Sequence, residues 1–271
     1  MDRATEARRR NVSGHRSVIM VTCMPGPVVV FSFLLIATLA GCADAPSSGA
    51  AGSDRAAPER RAAASARPGA AGAAEAPPGA AAARRIVFLG DSLTAGLGLP
   101  IEQAYPSLIG ARLAARGTGW SVVNAGVSGD TSAGGVRRLE WSLDGGAAIL
   151  VVALGANDAL RGLPVDDLER NLDAIVAKGK GLGARVVLAG MEAPPNNGPE
   201  YTARFRQAYT AVAARHDVTL LPFLLDGVAG IAALNQNDGI HPNRTGAARV
   251  ADTVWRVLDP IVRALEGSTT E

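Results

Sequence analysis

Thiols are nearly missing from this chain. It has two cysteines, Cys23 and Cys42, and both stand near the amino terminus. A domain that begins beyond residue 42 can therefore hold no disulfide, no thiolate nucleophile and no cysteine-ligated zinc. Histidine is scarce as well: His15, His216 and His241 are the whole supply of imidazole. Aromatic residues make up 4% of the chain, too few for the aromatic platform that a sugar-binding cleft uses. Excess charge is small too. The formal charge is +2, but Arg3, Arg8, Arg9, Arg10 and Arg16 are opposed at the amino terminus only by Asp2 and Glu6. Without residues 1–41 the balance becomes 2 − 3 = −1. No basic face remains for nucleic acid, and the glycine-rich stretches lack the lysine of a phosphate-cradling P-loop.

Long apolar runs are also absent. Val28–Ala40, VVVFSFLLIATLA, is short for a membrane span, which needs about 20 residues, and fits the apolar region of a signal peptide. It ends in Leu39-Ala40-Gly41-Cys42, which resembles the lipobox of bacterial lipoproteins, where the chain is cut before the cysteine and the cysteine is acylated. Beyond it, residues 43–84 are almost entirely Ala, Gly, Pro, Ser and Arg. Such a stretch cannot bury enough apolar surface to offset the entropy of ordering. Three parts follow: a lipoprotein-type signal peptide over 1–41, a lipidated Cys42 with a disordered Ala/Pro/Gly-rich tether over 42–84, and one domain over 85–271. The expected location is a bacterial cell envelope, on its periplasmic or surface side, with Cys42 in a membrane.

Within the domain, apolar strand-like runs recur at Ile86–Leu89, Ser121–Asn124, Ala148–Leu154, Arg185–Ala189 and Val218–Leu221. Helical spacing lies between them. Val165, Leu168, Leu172, Ile175 and Val176 share a face, as do Val250, Val254, Val257, Leu258 and Ile261, with Pro260 expected to bend the last helix. Ala104–Ala115, Gly134–Leu143 and Tyr201–Ala214 fill the other gaps. Nearly all-apolar strands alternating with helices predict an α/β fold, with a parallel sheet of about five strands covered on both faces.

In such sheets ligands bind at the carboxyl ends of the strands. Four small polar clusters fall there: Gly90-Asp91-Ser92, Asn124 to Asp130, Gly155-Ala156-Asn157-Asp158, and Asp238-Gly239-Ile240-His241-Pro242-Asn243 before the last helix. A serine hydroxyl needs a base to act as nucleophile. His216 precedes the fifth strand, at the wrong end, and reads as a solvated loop residue. His241 is well placed, with Asp238 three residues earlier to accept its Nδ1 proton and leave Nε2 for Ser92. Donors for a developing oxyanion are the Ser92 N–H at a helix start, the Gly129 N–H and the Asn157 amide. Taken alone, each cluster has a plainer reading: a capping turn for Asp238–His241, a loop glycine for Gly129, a helix cap for Asn157. Ser92 is not in the G-x-S-x-G elbow of ordinary lipases.

GDSL at Gly90–Leu93, SGD with Gly129, GAND at Gly155–Asp158 and DGIHPN at Asp238–Asn243 resemble, in order and spacing, the four blocks of the SGNH or GDSL hydrolases. SVVNAGVSGDTSAGG and LLPFLLDGV extend the resemblance to the thioesterase I, lysophospholipase and arylesterase-like subgroup. The resemblance implies a flavodoxin-like three-layer α/β/α sandwich and a cofactor-free, metal-free serine esterase. It implies Ser92 as nucleophile, Asp238 and His241 as its acid and base partners, and Ser92, Gly129 and Asn157 as the oxyanion hole. Implied substrates are small esters or lipids: aryl and short-to-medium acyl esters, thioesters and lysophospholipids. Leu160, Leu163 and Pro194 are candidates for contact with the acyl or aryl group. Two other functions use the same residues or fold: a carbohydrate O-acyl deacetylase or acyltransferase, and a non-catalytic surface lipoprotein.

Overall fold

A computed structural model describes residues 84–268. The signal-type segment, Cys42 and nearly all of the tether expected before the domain lie outside the described residues. The strands are β1 (Arg85–Gly90), β2 (Ser121–Gly126), β3 (Ile149–Ala153), β4 (Arg185–Ala189) and β5 (Thr219–Leu221). They form one parallel sheet in the order β2-β1-β3-β4-β5. Arg85 pairs with Ser121 on one side of β1, and Ile86 with Ile149 on the other. Ile86–Leu89 and Ile149–Val152 have no exposed surface. That explains their unbroken apolar sequence, since both faces of a central parallel strand are covered.

The helices are α1 (Ser92–Ala95), α2 (Tyr105–Ala115), α3 (Ser132–Ser142), α4 (Ala156–Leu160), α5 (Val165–Gly181), α6 (Pro199–His216) and α7 (Arg244–Gly267). α2 packs on α7, while α3, α5 and α6 pack on one another in series, giving one layer on each face of the sheet. The amphipathic stripe expected over Val165–Val176 is buried. The bend expected at Pro260 is not a break: α7 runs through it from Arg244 to Gly267. The missing Pro260 N–H costs one bond in the ladder, while Val250, Val254, Leu258 and Val262 keep the helix seated in the core.

The chain leaves β1 over one face toward β2 and leaves β2 over the other face toward β3. The carboxyl ends of β1 and β3 thus flank the point where strand order reverses, the place where open α/β sheets leave a crevice. α1 occupies it as a single turn. Thr94 Oγ1 and Tyr105 Oη share a hydrogen bond of 2.9 Å in the core, and the Tyr105 ring meets Phe88 edge-on at 5.6 Å. Gly126, the last residue of β2, lies directly under α1: a Cβ there would stand 2.2 Å from the Ala95 nitrogen and 2.8 Å from the Thr94 carbonyl carbon. Backbone, unlike a side-chain tip, cannot rotate away. We expect Gly126→Ala to destabilise the domain by roughly 1–3 kcal/mol, the usual cost of overpacking, measured as a lowered denaturation midpoint. An unchanged midpoint would mean that α1 has another low-energy seat.

Candidate active site

The turn after β1 is set by Asp91. Its Oδ1 accepts from the Leu93 N–H at 3.0 Å, capping α1, and Gly96 ends the helix at φ 77°. The helix expected to start at Ser92 is therefore one turn long, too short for a large dipole; the long helix begins at Tyr105. From β2, Asn124 donates to the Thr94 carbonyl at 2.9 Å and accepts from the Gly126 N–H at 3.0 Å, fixing α1 against the strand end. Ser92 is held over the carboxyl edge by contacts from both sides.

His241 arrives on a hairpin-like loop between β5 and α7. Asn235 and Pro242 bridge antiparallel, and the Gln236 N–H donates to the His241 carbonyl at 2.7 Å. Gly239, at φ 76°, makes the tight turn between them. The Gln236 side chain donates to the Pro242 carbonyl at 3.0 Å and to the Leu97 carbonyl at 2.7 Å. It thus fastens the histidine loop to the segment just after Ser92. Asn243 caps α7 through the Thr245 and Gly246 N–H groups. The outcome is a relay: His241 Nε2 lies 2.8 Å from Ser92 Oγ, and His241 Nδ1 lies 2.7 Å from Asp238 Oδ2. With the proton on Nδ1, Nε2 is left to accept from the serine hydroxyl. Asp238 Oδ1 accepts from the Ile240 and His241 N–H groups, each at 3.0 Å. Hydrogen bonds from the His241 backbone, the His241 ring and the Ile240 backbone hold the Asp238 carboxyl down at about 2, so it is a carboxylate throughout the neutral range.

Gly129 and Asn157 line the same cleft as Ser92 and His241. Among the described residues, neither the Ser92 N–H nor the Gly129 N–H donates to protein. Asn157, the second residue of α4 rather than its cap, gives one amide hydrogen to the Asp130 carbonyl at 2.9 Å and keeps a second. The neighbouring acids of these clusters turn inward. Asp158 is buried, with Oδ2 on the Ser132 N–H at 2.8 Å and Oδ1 on the Ser132 hydroxyl. His216, expected in a solvated loop, is instead the last residue of α6, and its Nε2 lies 2.9 Å from Asp173 Oδ1. It stands at the amino-terminal side of β5, away from the cleft.

The cleft beside Ser92 has a volume of about 650 Å³ and a mostly apolar wall. Leu160 and Pro194 line it as expected; Leu163 does not. Leu93, Leu97, Met191, Phe223, Leu225 and Ile240 are the other large apolar residues of the wall. A serine backed by an imidazole and a carboxylate, in an apolar cleft on this sheet, has known counterparts. The sequence model of the GDSL-like lipase/acylhydrolase family matches residues 88–249. The chain belongs to that family. Esterase TesA of Pseudomonas aeruginosa is 43% identical over 181 residues, spanning 66% of this chain and 90% of that protein. Thioesterase 1/protease 1/lysophospholipase L1 of Escherichia coli is 38% identical over 181 residues, 66% of this chain and 86% of that protein. The crystal structure of the psychrotrophic esterase EstA from Pseudoalteromonas sp., inhibited by monoethylphosphonate, superposes with a TM-score of 0.64 at 32% identity, covering 66% of this chain and 99% of that one. As a member of the family, the chain is a hydrolase of the esterase kind.

Sequence reasoning missed the state of Asp91. The residue is almost fully buried and its Oδ2 has no hydrogen-bond partner. Burial pushes its carboxyl up to about 6, against the opposing pull of the Leu93 N–H and the nearby His241. An acid next to a serine reads only as turn chemistry; burial is visible only in three dimensions. A carboxyl raised in the folded state stabilises the fold fully below its unfolded value of about 3.9, and that contribution is lost as pH rises through about 6. From pH 4 to 7 the wild type should lose about 2 kcal/mol relative to Asp91→Asn, read from denaturant midpoints across pH. Parallel curves for the two proteins would show that Asp91 does not titrate in this window.

Proposed function

We propose that the protein is a serine esterase working through an acyl-enzyme, with Ser92 as nucleophile, His241 as general base and Asp238 as its orienting partner. The observation that carries the reading is the 2.8 Å approach of His241 Nε2 to Ser92 Oγ with Asp238 on the far nitrogen. Ser92 Oγ attacks the ester carbonyl carbon as its proton passes to His241 Nε2. The carbonyl oxygen becomes an oxyanion that receives the Ser92 and Gly129 N–H groups and the second amide hydrogen of Asn157. Collapse breaks the bond to the leaving alcohol or thiol, which takes the proton from His241. Water, deprotonated by His241, then attacks the acyl carbon, and collapse returns Ser92 and a carboxylic acid. Asp238 stabilises the imidazolium in both halves.

The substrate is a small ester or lipid. A cleft of about 650 Å³ walled by Leu97, Leu160, Phe223 and Ile240 suits an aryl group or a short-to-medium acyl chain. The names of the relatives support carboxylic esters first and thioesters or lysophospholipids next. We expect turnover of p-nitrophenyl esters, tested from acetate to palmitate with lysophosphatidylcholine alongside. Activity should peak below the longest chains. Ser92→Ala should lose roughly 10⁴–10⁶-fold in kcat. Asp238→Asn should lose roughly 10²–10⁴-fold while remaining folded. A folded wild type inert on every ester, and unlabelled by a fluorophosphonate, would overturn the reading.

The same reading places the enzyme in a bacterial cell envelope, anchored through an acylated Cys42. Its support is Leu39-Ala40-Gly41-Cys42 after the apolar run Val28–Ala40. Among the described residues no helix is long and apolar enough to cross a membrane, so within them anchoring falls to no helix. In cells expressing the full chain, Cys42→Ala should move esterase activity from the membrane fraction to the soluble one. Activity that stays with membranes in the variant would refute lipidation as the anchor.

A further inference from the structure

Arg138 has no place in the reaction as written above, and it does not line the cleft. It projects from α3 beneath the site, with its side chain 15% exposed. Its guanidinium donates to four acceptors. Nη2 reaches the Gly90 carbonyl at 2.7 Å, Nη1 reaches the Ala125 carbonyl at 2.7 Å and the Ser142 hydroxyl at 3.2 Å, and Nε reaches Asp130 Oδ2 at 2.6 Å. Gly90 and Ala125 lie at the ends of β1 and β2, where the ladder runs out. Their carbonyls are covered acceptors with lone pairs that the ladder leaves open, and Arg138 fills them. A planar fork with five N–H groups can serve both strand ends and a carboxylate at once; an ammonium cannot.

What those acceptors are attached to gives Arg138 a further role. The Gly90 carbonyl belongs to the peptide that leads into Asp91, next to Ser92; the Val127 N–H shares it at 3.0 Å. Asp130 follows Gly129 directly, and its own backbone carbonyl receives the Asn157 amide at 2.9 Å. Each of the three donors assigned above to the oxyanion therefore lies within two residues, or one hydrogen bond, of a residue that Arg138 holds. We propose that Arg138 is the positioning residue of the oxyanion side of the site. It sets the spacing among the β1 turn, the Gly129 loop and Asn157 from a helix that never meets substrate. The proposal rests on the esterase reading, and it goes beyond that reading in assigning a residue outside the cleft to the rate of the chemical step.

A residue that positions oxyanion donors should act on kcat, because those donors matter most when charge develops on the carbonyl oxygen. We expect Arg138→Lys to lose about 10–100-fold in kcat with KM within about threefold. In Arg138→Ala, added guanidinium ion should restore part of kcat, and ethylammonium should not. Asp130→Asn takes the charge from one of the four acceptors and leaves the three others. It should fold and lose about 3–10-fold in kcat, as one of the donors is mis-set by part of its range. Folding is followed throughout by far-UV circular dichroism and denaturation. Wild-type kcat in a folded Arg138→Lys would overturn the proposal, as would losses that follow the unfolded fraction and ignore guanidinium. Should both Arg138 variants fail to fold, Asp130→Asn decides, and full kcat in it overturns the proposal. A wild type that neither hydrolyses esters nor takes a fluorophosphonate takes both readings down together. A wild type that does both, beside Arg138 variants that match it, removes this one alone.

Discussion

The structure depends on one hydrogen bond across a long stretch of chain: His241 Nε2 to Ser92 Oγ, 2.8 Å, between residues 149 apart in sequence. Neither side chain can find the other by local preference. Ser92 is fixed because β1 is the buried strand at the strand-order reversal, and because Asp91, Asn124 and Tyr105 leave α1 little room to move. His241 is fixed by a loop whose turn is set at Gly239 and whose base is closed by the Gln236–His241 and Asn243–Leu234 backbone bonds. Gln236 joins the two systems through the Leu97 carbonyl. The sheet supplies the frame, and these few polar contacts set the final distance. That division is expected where a hydrogen bond loses most of its strength over a few tenths of an ångström and a packed apolar core tolerates no slack.

Two aspartates near this bond show how burial and hydrogen bonding separate identical side chains. Asp238 is exposed and accepts three hydrogen bonds, so its carboxyl sits at about 2. Asp91 is buried with one oxygen unpartnered, so its carboxyl rises to about 6. A carboxylate meant to sit beside an imidazole must stay charged, and an exposed site rich in N–H donors keeps it so without desolvation. Asp91 serves a different end. Its Oδ1 caps α1, a task that survives protonation of the other oxygen, so its electrostatic cost does not disturb the turn that carries Ser92.

Much of this was legible in the sequence because the informative residues sit where the chain changes direction. All five strand runs appear in the sheet, within one or two residues at most ends; β1, β3 and β4 are the plainest, because covered parallel strands are unbroken apolar runs. The turns after β1, β2 and β3 and the loop before α7 bring Ser92, Gly129, Asn157 and His241 to one cleft. Position relative to a strand end is a local property that a sequence can display. His216 failed by the same logic: its side of the strand was read correctly, but its helix and its Asp173 partner depend on α5 and α6 packing together.

Residues that act from a distance in space left no such signal. Arg138 stands among the charged positions of an amphipathic helix and reads as solvated surface, yet it is mostly covered beneath the strand ends. Its value comes from acceptors on β1 and β2 that only the folded sheet brings within reach. The wall of the cleft was half hidden for a related reason. Leu160 and Pro194 lie in the connections after β3 and β4, whereas Phe223, Leu225 and Ile240 belong to the long connection between β5 and α7, whose path no periodicity fixes. A substrate pocket built from such a connection can change its chemistry without disturbing the sheet. The parts that the sequence shows most plainly, the strand-end turns, cannot, because each is held by the core beneath it.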